Sequence, residues 1–341
     1  MIRFESDYLE GAHPKIMKRL MESNFDQTPG YGNDTYCEKA REVIKKLCKR
    51  EDADVHFLVG GTQTNTTVIA AALRPYQGVV CADTGHINVH ETGAIEATGH
   101  KVLALPSTNG KITAKQIAKA MEAHYQEDGP EHMVQPGMVY ISHPTEVGTL
   151  YTKQELCDLS KVCRKYNIPL FLDGARLGYG LTSEASDLSI EDIANYCDVF
   201  YIGGTKVGAL FGEAVVICSE SIKKDFRYSI KQRGGMLAKG RLLGVQFLTL
   251  LEDGLYFEIA NHANQLAMKI RRACEEKGYP FFMDSYTNQQ FPILPNEKLK
   301  ELEKEFSFSF WEAGDAEHSA VRFCTSWATK EEDVNALIAK L

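Results

Sequence analysis

Between about residue 55 and residue 218, short apolar runs alternate with amphipathic stretches. The runs His56–Val59, Val79–Ala82, Lys101–Leu105, Met138–Ser142, Pro169–Leu172, Val199–Ile202 and Ala214–Cys218 predict strands. Between them, Thr62–Leu73, Thr113–His124 and Lys153–Tyr166 predict helices. In the second of these, Ile117, Ala118, Ala120 and Met121 crowd one side while lysines take the other. Strand then helix, repeated this often, predicts a mainly parallel sheet covered on both faces. The right-handed crossover rule makes that sheet doubly wound. The stretch Gln126–Gly137, polar and carrying Pro130 and Pro136, predicts a surface loop.

The pattern changes further on. "MLAKGRLLGVQFLTLLE" (Met236–Glu252) predicts a long spacer helix. After it, strands at Tyr279–Met283, Gln290–Leu294, Phe306–Phe310 and Ala320–Thr325 interleave with helices at Tyr256–Lys277, Asn296–Lys304 and Lys330–Lys340. Residues 1–252 are therefore expected to form a large α/β domain with an N-terminal segment, and residues 253–341 a smaller α+β domain.

Composition narrows the function classes. The 341 residues are 44% hydrophobic and 25% charged, as in ordinary globular proteins. A net charge of −8 with no basic run argues against nucleic acid or an anionic membrane as partner. No apolar run approaches the roughly 20 residues of a membrane span. The opening "MIRFESDYLEG" is charged too early for a signal peptide, and the expected location is the cytoplasm. Nine cysteines at irregular spacing, without C-x-x-C, read as reduced thiols. The ten histidines form no H-E-x-x-H, so no metal site is expected.

Open α/β sheets bind ligands at the carboxyl ends of their strands, so the loops after the strands matter most. His56–Val59 leads into "GGTQTN", where Gly60 and Gly61 admit close backbone approach and Thr62 can cap the helix. This is either an anion cradle or a tight turn, and it is neither a dinucleotide nor a Walker motif. Pro169–Leu172 leads into "DGAR", whose Asp173 either faces a ligand or caps a helix with Arg176 as its surface partner. Val199–Ile202 leads into glycines that frame Lys206. An anion cradle, a carboxylate and an amine at one sheet edge are the set that pyridoxal phosphate demands. In "DTGHINVHETGA", His86 could lie on one face of a planar ring.

With "ESD" (Ser6, Asp7), "GYGND" ending at Asp34, and "VRFCTSW" near the end, the sequence resembles the low-specificity L-threonine aldolases almost from end to end. These are β-eliminating lyases among the fold-type-I pyridoxal-phosphate enzymes. The resemblance implies that transferase-like fold, pyridoxal 5′-phosphate as cofactor, and retro-aldol cleavage of L-threonine or L-allo-threonine to glycine and acetaldehyde. β-Elimination on the same scaffold is the alternative chemistry, and a non-catalytic cofactor-binding protein the alternative class. By the same resemblance Lys206 is the Schiff-base lysine, Asp173 pairs with the pyridine nitrogen and His86 stacks on the ring. Gly61, Thr62 and Thr205 hold the phosphate, while Ser6, Arg176 and Arg322 bind the substrate carboxylate. Lys231, before "QRGG", matches a basic residue that reaches a neighbouring subunit's site, which implies a homo-oligomer, a dimer or a tetramer with shared sites. Two departures fall on the substrate side. Glu146 stands where the aldolases carry a histidine, and an arginine expected soon after "QRGG" is missing, with Ala238 and Lys239 nearby.

Overall fold

The alternating runs meet in one seven-stranded sheet in the computed structural model, which describes residues 1–341. In chain order the strands of the molecule are β1 (Ile2–Arg3), β2 (Asp54–Leu58), β3 (Gln77–Ala82), β4 (Val102–Leu105), β5 (Gln135–Ser142), β6 (Leu170–Asp173) and β7 (Val199–Gly203). They continue as β8 (Glu213–Ile217), β9 (Phe281–Met283), β10 (Gln289–Pro295), β11 (Phe306–Ser307), β12 (Ser309–Ala313) and β13 (His318–Cys324). The large sheet has the order β2-β8-β7-β6-β5-β3-β4.

Within that sheet β8 alone runs antiparallel to its neighbours, β2 and β7. The reason is local. Only a glycine-rich turn separates β7 from β8, and a parallel return needs a crossover of about a dozen residues or more. This reversal puts Glu213, the first residue of β8, at the edge where the parallel strands end. It pairs with Leu58 on one side and Gly203 on the other.

Period-two burial explains the two covered faces. Val139, Ile141, Leu170 and Leu172 join the larger core cluster, whereas Met138, Tyr140, Phe171 and Tyr201 join a second cluster across the sheet. Helices Pro14–Glu22 and Thr35–Cys48, unmarked by any strand alternation, pack against the helix Arg241–Leu251. A Cβ on Gly244 would stand 2.5 Å from the backbone nitrogen of Cys37, so this close crossing requires glycine.

Three expectations are corrected. The spacer helix starts at Arg241, because Met236 and Leu237 are irregular and a turn at Ala238–Gly240 precedes it. The run Phe306–Phe310 is not one strand: β11 pairs in parallel with β1, and β12 pairs with β13. Part of the polar loop belongs to β5, which begins at Gln135.

The smaller sheet, β12-β13-β10-β9, is antiparallel throughout. The helix Leu255–Glu276 ties it to the large sheet. Leu255, Tyr256 and Ile259 pack into the large core, while Leu266, Ile270 and Cys274 pack with Phe4, Phe306 and Phe323. Phe4 thus anchors the N-terminal segment beside the small sheet, and Ser6 and Asp7 follow it into the seam. No helix is long and apolar enough to cross a membrane.

Candidate active site

A cavity of about 200 Å³ opens at the carboxyl ends of the parallel strands. It brings together eight of the residues singled out above: Gly61 and Thr62 after β2, His86 after β3, Glu146 after β5, Asp173 and Arg176 from β6, and Thr205 and Lys206 after β7.

Lys206 follows a wholly buried strand. A Cβ on Gly203 would collide with the backbone of Gly174 and Ala175, so small residues let the "DGAR" turn and the lysine turn touch. The Tyr179 hydroxyl donates to the Lys206 carbonyl at 2.6 Å and fixes the turn. Burial, reinforced by the Arg176 charge, pushes the Lys206 ammonium below its usual value, while Asp7, Asp173 and Glu213 act against this.

Asp173 is buried and accepts from four donors. Tyr201 Oη and the Ala175 amide (3.0 Å) reach Oδ1, and Tyr140 Oη (2.6 Å) and Asn65 Nδ2 (3.2 Å) reach Oδ2. It does not cap the helix Leu177–Leu181, which has Arg176 before it and no side-chain cap. Asn65 also donates to Glu91 Oε1 at 2.7 Å, and that oxygen lies 2.8 Å from His86 Nδ1. Burial opposes the charged imidazole, but Glu91 and Asp173 outweigh it and raise the His86 pKa.

Glu146 closes the ring of contacts. Its Oε1 accepts from the His86 amide (2.9 Å) and from Ser142 Oγ (2.6 Å), and Ser142 Oγ also lies 3.3 Å from Tyr140 Oη. Burial raises the Glu146 carboxyl, and the nearby Asp173 charge adds to that.

The helix Gly61–Ala72 begins one residue earlier than expected. Its cap is Gly60, which has no side chain to offer, and Thr62 lies inside the first turn. Thr62 is therefore not the cap, and the first amides are left for an anion. Thr205 Oγ1 donates to Glu213 Oε1 at 2.9 Å and accepts from the Gly212 amide at 2.9 Å. An amine, a fixed carboxylate and an uncapped helix start on one polar cavity fit pyridoxal phosphate.

A model of the beta-eliminating lyase family matches residues 3–296. The chain belongs to the beta-eliminating lyase family. A low specificity L-threonine aldolase of Pseudomonas sp. is 29% identical over 99% of this chain and 96% of its own length. The same enzyme class of Pseudomonas aeruginosa is 29% identical over 98% of this chain and 95% of its own length. The solved threonine aldolase of Leishmania major is 45% identical, covers 99% of this chain and 98% of its own, and superposes with a TM-score of 0.96. The protein is a pyridoxal-phosphate-dependent lyase.

In this lyase three of the singled-out residues do not line the cavity: Ser6, Arg322 and Lys231. Ser6 Oγ and Arg322 Nε are nonetheless buried without a hydrogen-bond partner. The remaining Arg322 nitrogens are held by Gln289 Oε1 (3.2 Å), the Glu5 carbonyl (2.8 Å) and Ser309 Oγ (3.3 Å). Arg176 does not offer its whole fork, because Nε and Nη2 are bound to Asp7 at 2.7 and 3.0 Å. Burial works against the Asp7 carboxylate, but Arg176, Lys206 and Asn288 hold its pKa down at about 2. Burial raises the Cys324 thiol and the Asp7 charge adds to that, while Arg176, Arg322 and Lys206 oppose it. Lys231 lies apart, its Nζ 5.2 Å from the centre of the Tyr31 ring, in a surface recess with Arg227 and Tyr228.

Sequence reasoning missed Asn65, Glu91, Tyr140, Tyr201 and Glu213. For Tyr140, Tyr201 and Glu213 the available signal was a polar atom in or beside an apolar strand run, where tyrosines read as core; Asn65 in a helix and Glu91 in a loop carried none.

Proposed function

We propose that this lyase cleaves β-hydroxy amino acids of the threonine class to glycine and an aldehyde. The observation that carries the reading is the Lys206–Asp173 cavity with Arg176 on its wall, bonded to Asp7 beside the unpartnered Ser6 Oγ. Likeness to full-length threonine aldolases supports it. Pyridoxal phosphate, when bound, supplies a ring that accepts the electron pair released at the substrate α-carbon. Lys206 is the amine that holds the cofactor, and Asp173, fixed by two tyrosine hydroxyls, keeps a proton on the ring nitrogen. The amides of the first turn at Gly61 and Thr62, with Thr205, hold the phosphate. His86, oriented by Glu91, would lie against the ring.

The substrate carboxylate takes the free donors of Ser6, Arg322 and Arg176, and that grip selects the Cα–Cβ bond for cleavage. Glu146 takes the hydroxyl proton. Both of its donors reach Oε1, which leaves Oε2 for the substrate. Its raised pKa suits a base that must accept and return a proton. Lys231 acts at the site of a second copy, and the working unit is a homo-oligomer in the cytoplasm. Product analysis across β-hydroxy and β-substituted amino acids tests the reading. Glycine and acetaldehyde from threonine are the expected products; only keto acid and ammonia would make the protein a β-eliminating enzyme instead.

A further inference from the structure

Glu213 is a buried carboxyl with no part in the chemistry above. It lies between two parts of the site. On β8 it pairs with Leu58, just before the amides of Gly60 and Gly61, and with Gly203, just before Lys206. It lines the same cavity as Thr62, Thr205 and Lys206. Oε1 accepts from Thr205 Oγ1 at 2.9 Å and Oε2 from the Gly204 amide at 3.2 Å.

These bonds set up a conflict. A hydroxyl has one proton, and Thr205 spends its proton on Glu213. While Glu213 is a carboxylate, Thr205 cannot donate to a phosphate, and a second anion stands beside the place where that phosphate would bind. Protonating Glu213 removes both obstacles. The neutral acid donates Oε1–H to Thr205 Oγ1, which still accepts from the Gly212 amide and turns its own proton toward the cavity. Every lone pair and proton of Thr205 is then used.

We propose that Glu213 is a proton-linked positioning residue for the cofactor phosphate: it must be neutral while the dianion is bound, taking up a proton wherever it starts ionised, and thereby frees the Thr205 hydroxyl to hold the phosphate. The inference rests on the pyridoxal-phosphate reading of the cavity. The groups facing Glu213 are Thr205 and Lys206 from the lysine turn, Asp173 from β6, Tyr201 from β7 and Tyr256 from the helix Leu255–Glu276. Burial, with the Asp173 charge, raises the Glu213 carboxyl to about 8 against the pull of Thr205 and Lys206. In the cofactor-free protein Glu213 is therefore mostly neutral at pH 7 and mostly ionised at pH 9; phosphate binding raises that value further, so proton uptake on binding appears above pH 8.

The test uses the full-length protein stripped of cofactor and pyridoxamine 5′-phosphate, which carries the phosphate but no aldehyde for Lys206. Calorimetry at pH 7 and 9, in buffers of differing ionisation heat, reads affinity and proton uptake. At pH 9 the wild type should take up a proton beyond that taken by Glu213→Gln, at pH 7 the two should differ little, and the wild type should lose about tenfold more affinity than that variant per pH unit above 8. Identical pH dependence in the two proteins, or equal proton uptake at pH 9, overturns the proposal. If Glu213→Gln fails to fold, Thr205→Val decides: it must bind at least tenfold more weakly than wild type at pH 7, and unchanged affinity overturns the proposal. Absence of binding by the wild type would instead reject the cofactor reading, so the two failures are distinguishable.

Discussion

The two sides of the proposed active site are built to different standards of completion. On the cofactor side, Asp173 sits at the end of a central strand with four donors on its two oxygens. On the substrate side, Ser6 and Arg322 come from an N-terminal segment and a strand of the small sheet, and each keeps a buried polar atom without a partner. A buried donor left unpaired costs about 1–3 kcal/mol. Asp173 is thus preorganised by the protein alone, whereas Ser6 and Arg322 keep donors that the protein leaves unfilled. Catalytic rate should depend on the first and substrate affinity on the second.

The largest expected effect is at Lys206. Lys206→Ala removes one buried polar chain beside glycines, so the fold should survive while covalent cofactor attachment and turnover vanish. Circular dichroism with activity checks this, and full activity would dissolve the contrast altogether. Glu146→Gln comes next. A general base contributes about 10²–10⁴ in rate, and the raised Glu146 carboxyl must be ionised to act. Wild-type turnover should therefore rise with pH through that raised value, and the variant should be slow without that rising limb, with cofactor colour unchanged.

Asp173→Asn should bind cofactor yet lose about 10²–10³ in rate, the size of one preorganised electrostatic contact of about 3–4 kcal/mol. A near-silent change would show that the four donors serve the fold and not the chemistry. The smallest of these effects belongs to the substrate side. Arg322→Lys keeps a charge but loses the planar fork, and losing one charged hydrogen bond costs about 1.5–3 kcal/mol. KM should rise while cofactor affinity holds, and equal losses in both would erase the distinction between the two sides.

The same contrast governs how much was legible in the sequence. The strands of the large sheet were readable because they are buried on both faces and appear as apolar runs, and the rule of strand carboxyl ends then led to Asp173 and Lys206. What binds those residues in place was not. Asp7 meets Arg176 across 169 positions of chain, and no local pattern reports such a pair. Tyr140 and Tyr201 lie in apolar runs, where an aromatic side chain reads as packing; their hydroxyls matter only because β5, β6 and β7 are neighbours. Glu213 adjoins an apolar run and reads as a solvated strand end until the antiparallel return of β8 brings it inward. The aromatic run Phe306–Phe310 has strand character throughout, and only the competing partners β1 and β13 divide it.

The central claim is that the cofactor is carried on Lys206 at the cavity where β7 ends. Borohydride reduction of the cofactor-loaded protein, followed by digestion and mass mapping, tests it most directly. The account predicts the added pyridoxyl mass on the peptide containing Lys206 and on that residue alone. The mass on Lys231 or any other lysine, or no fixed mass from a coloured protein, would contradict it.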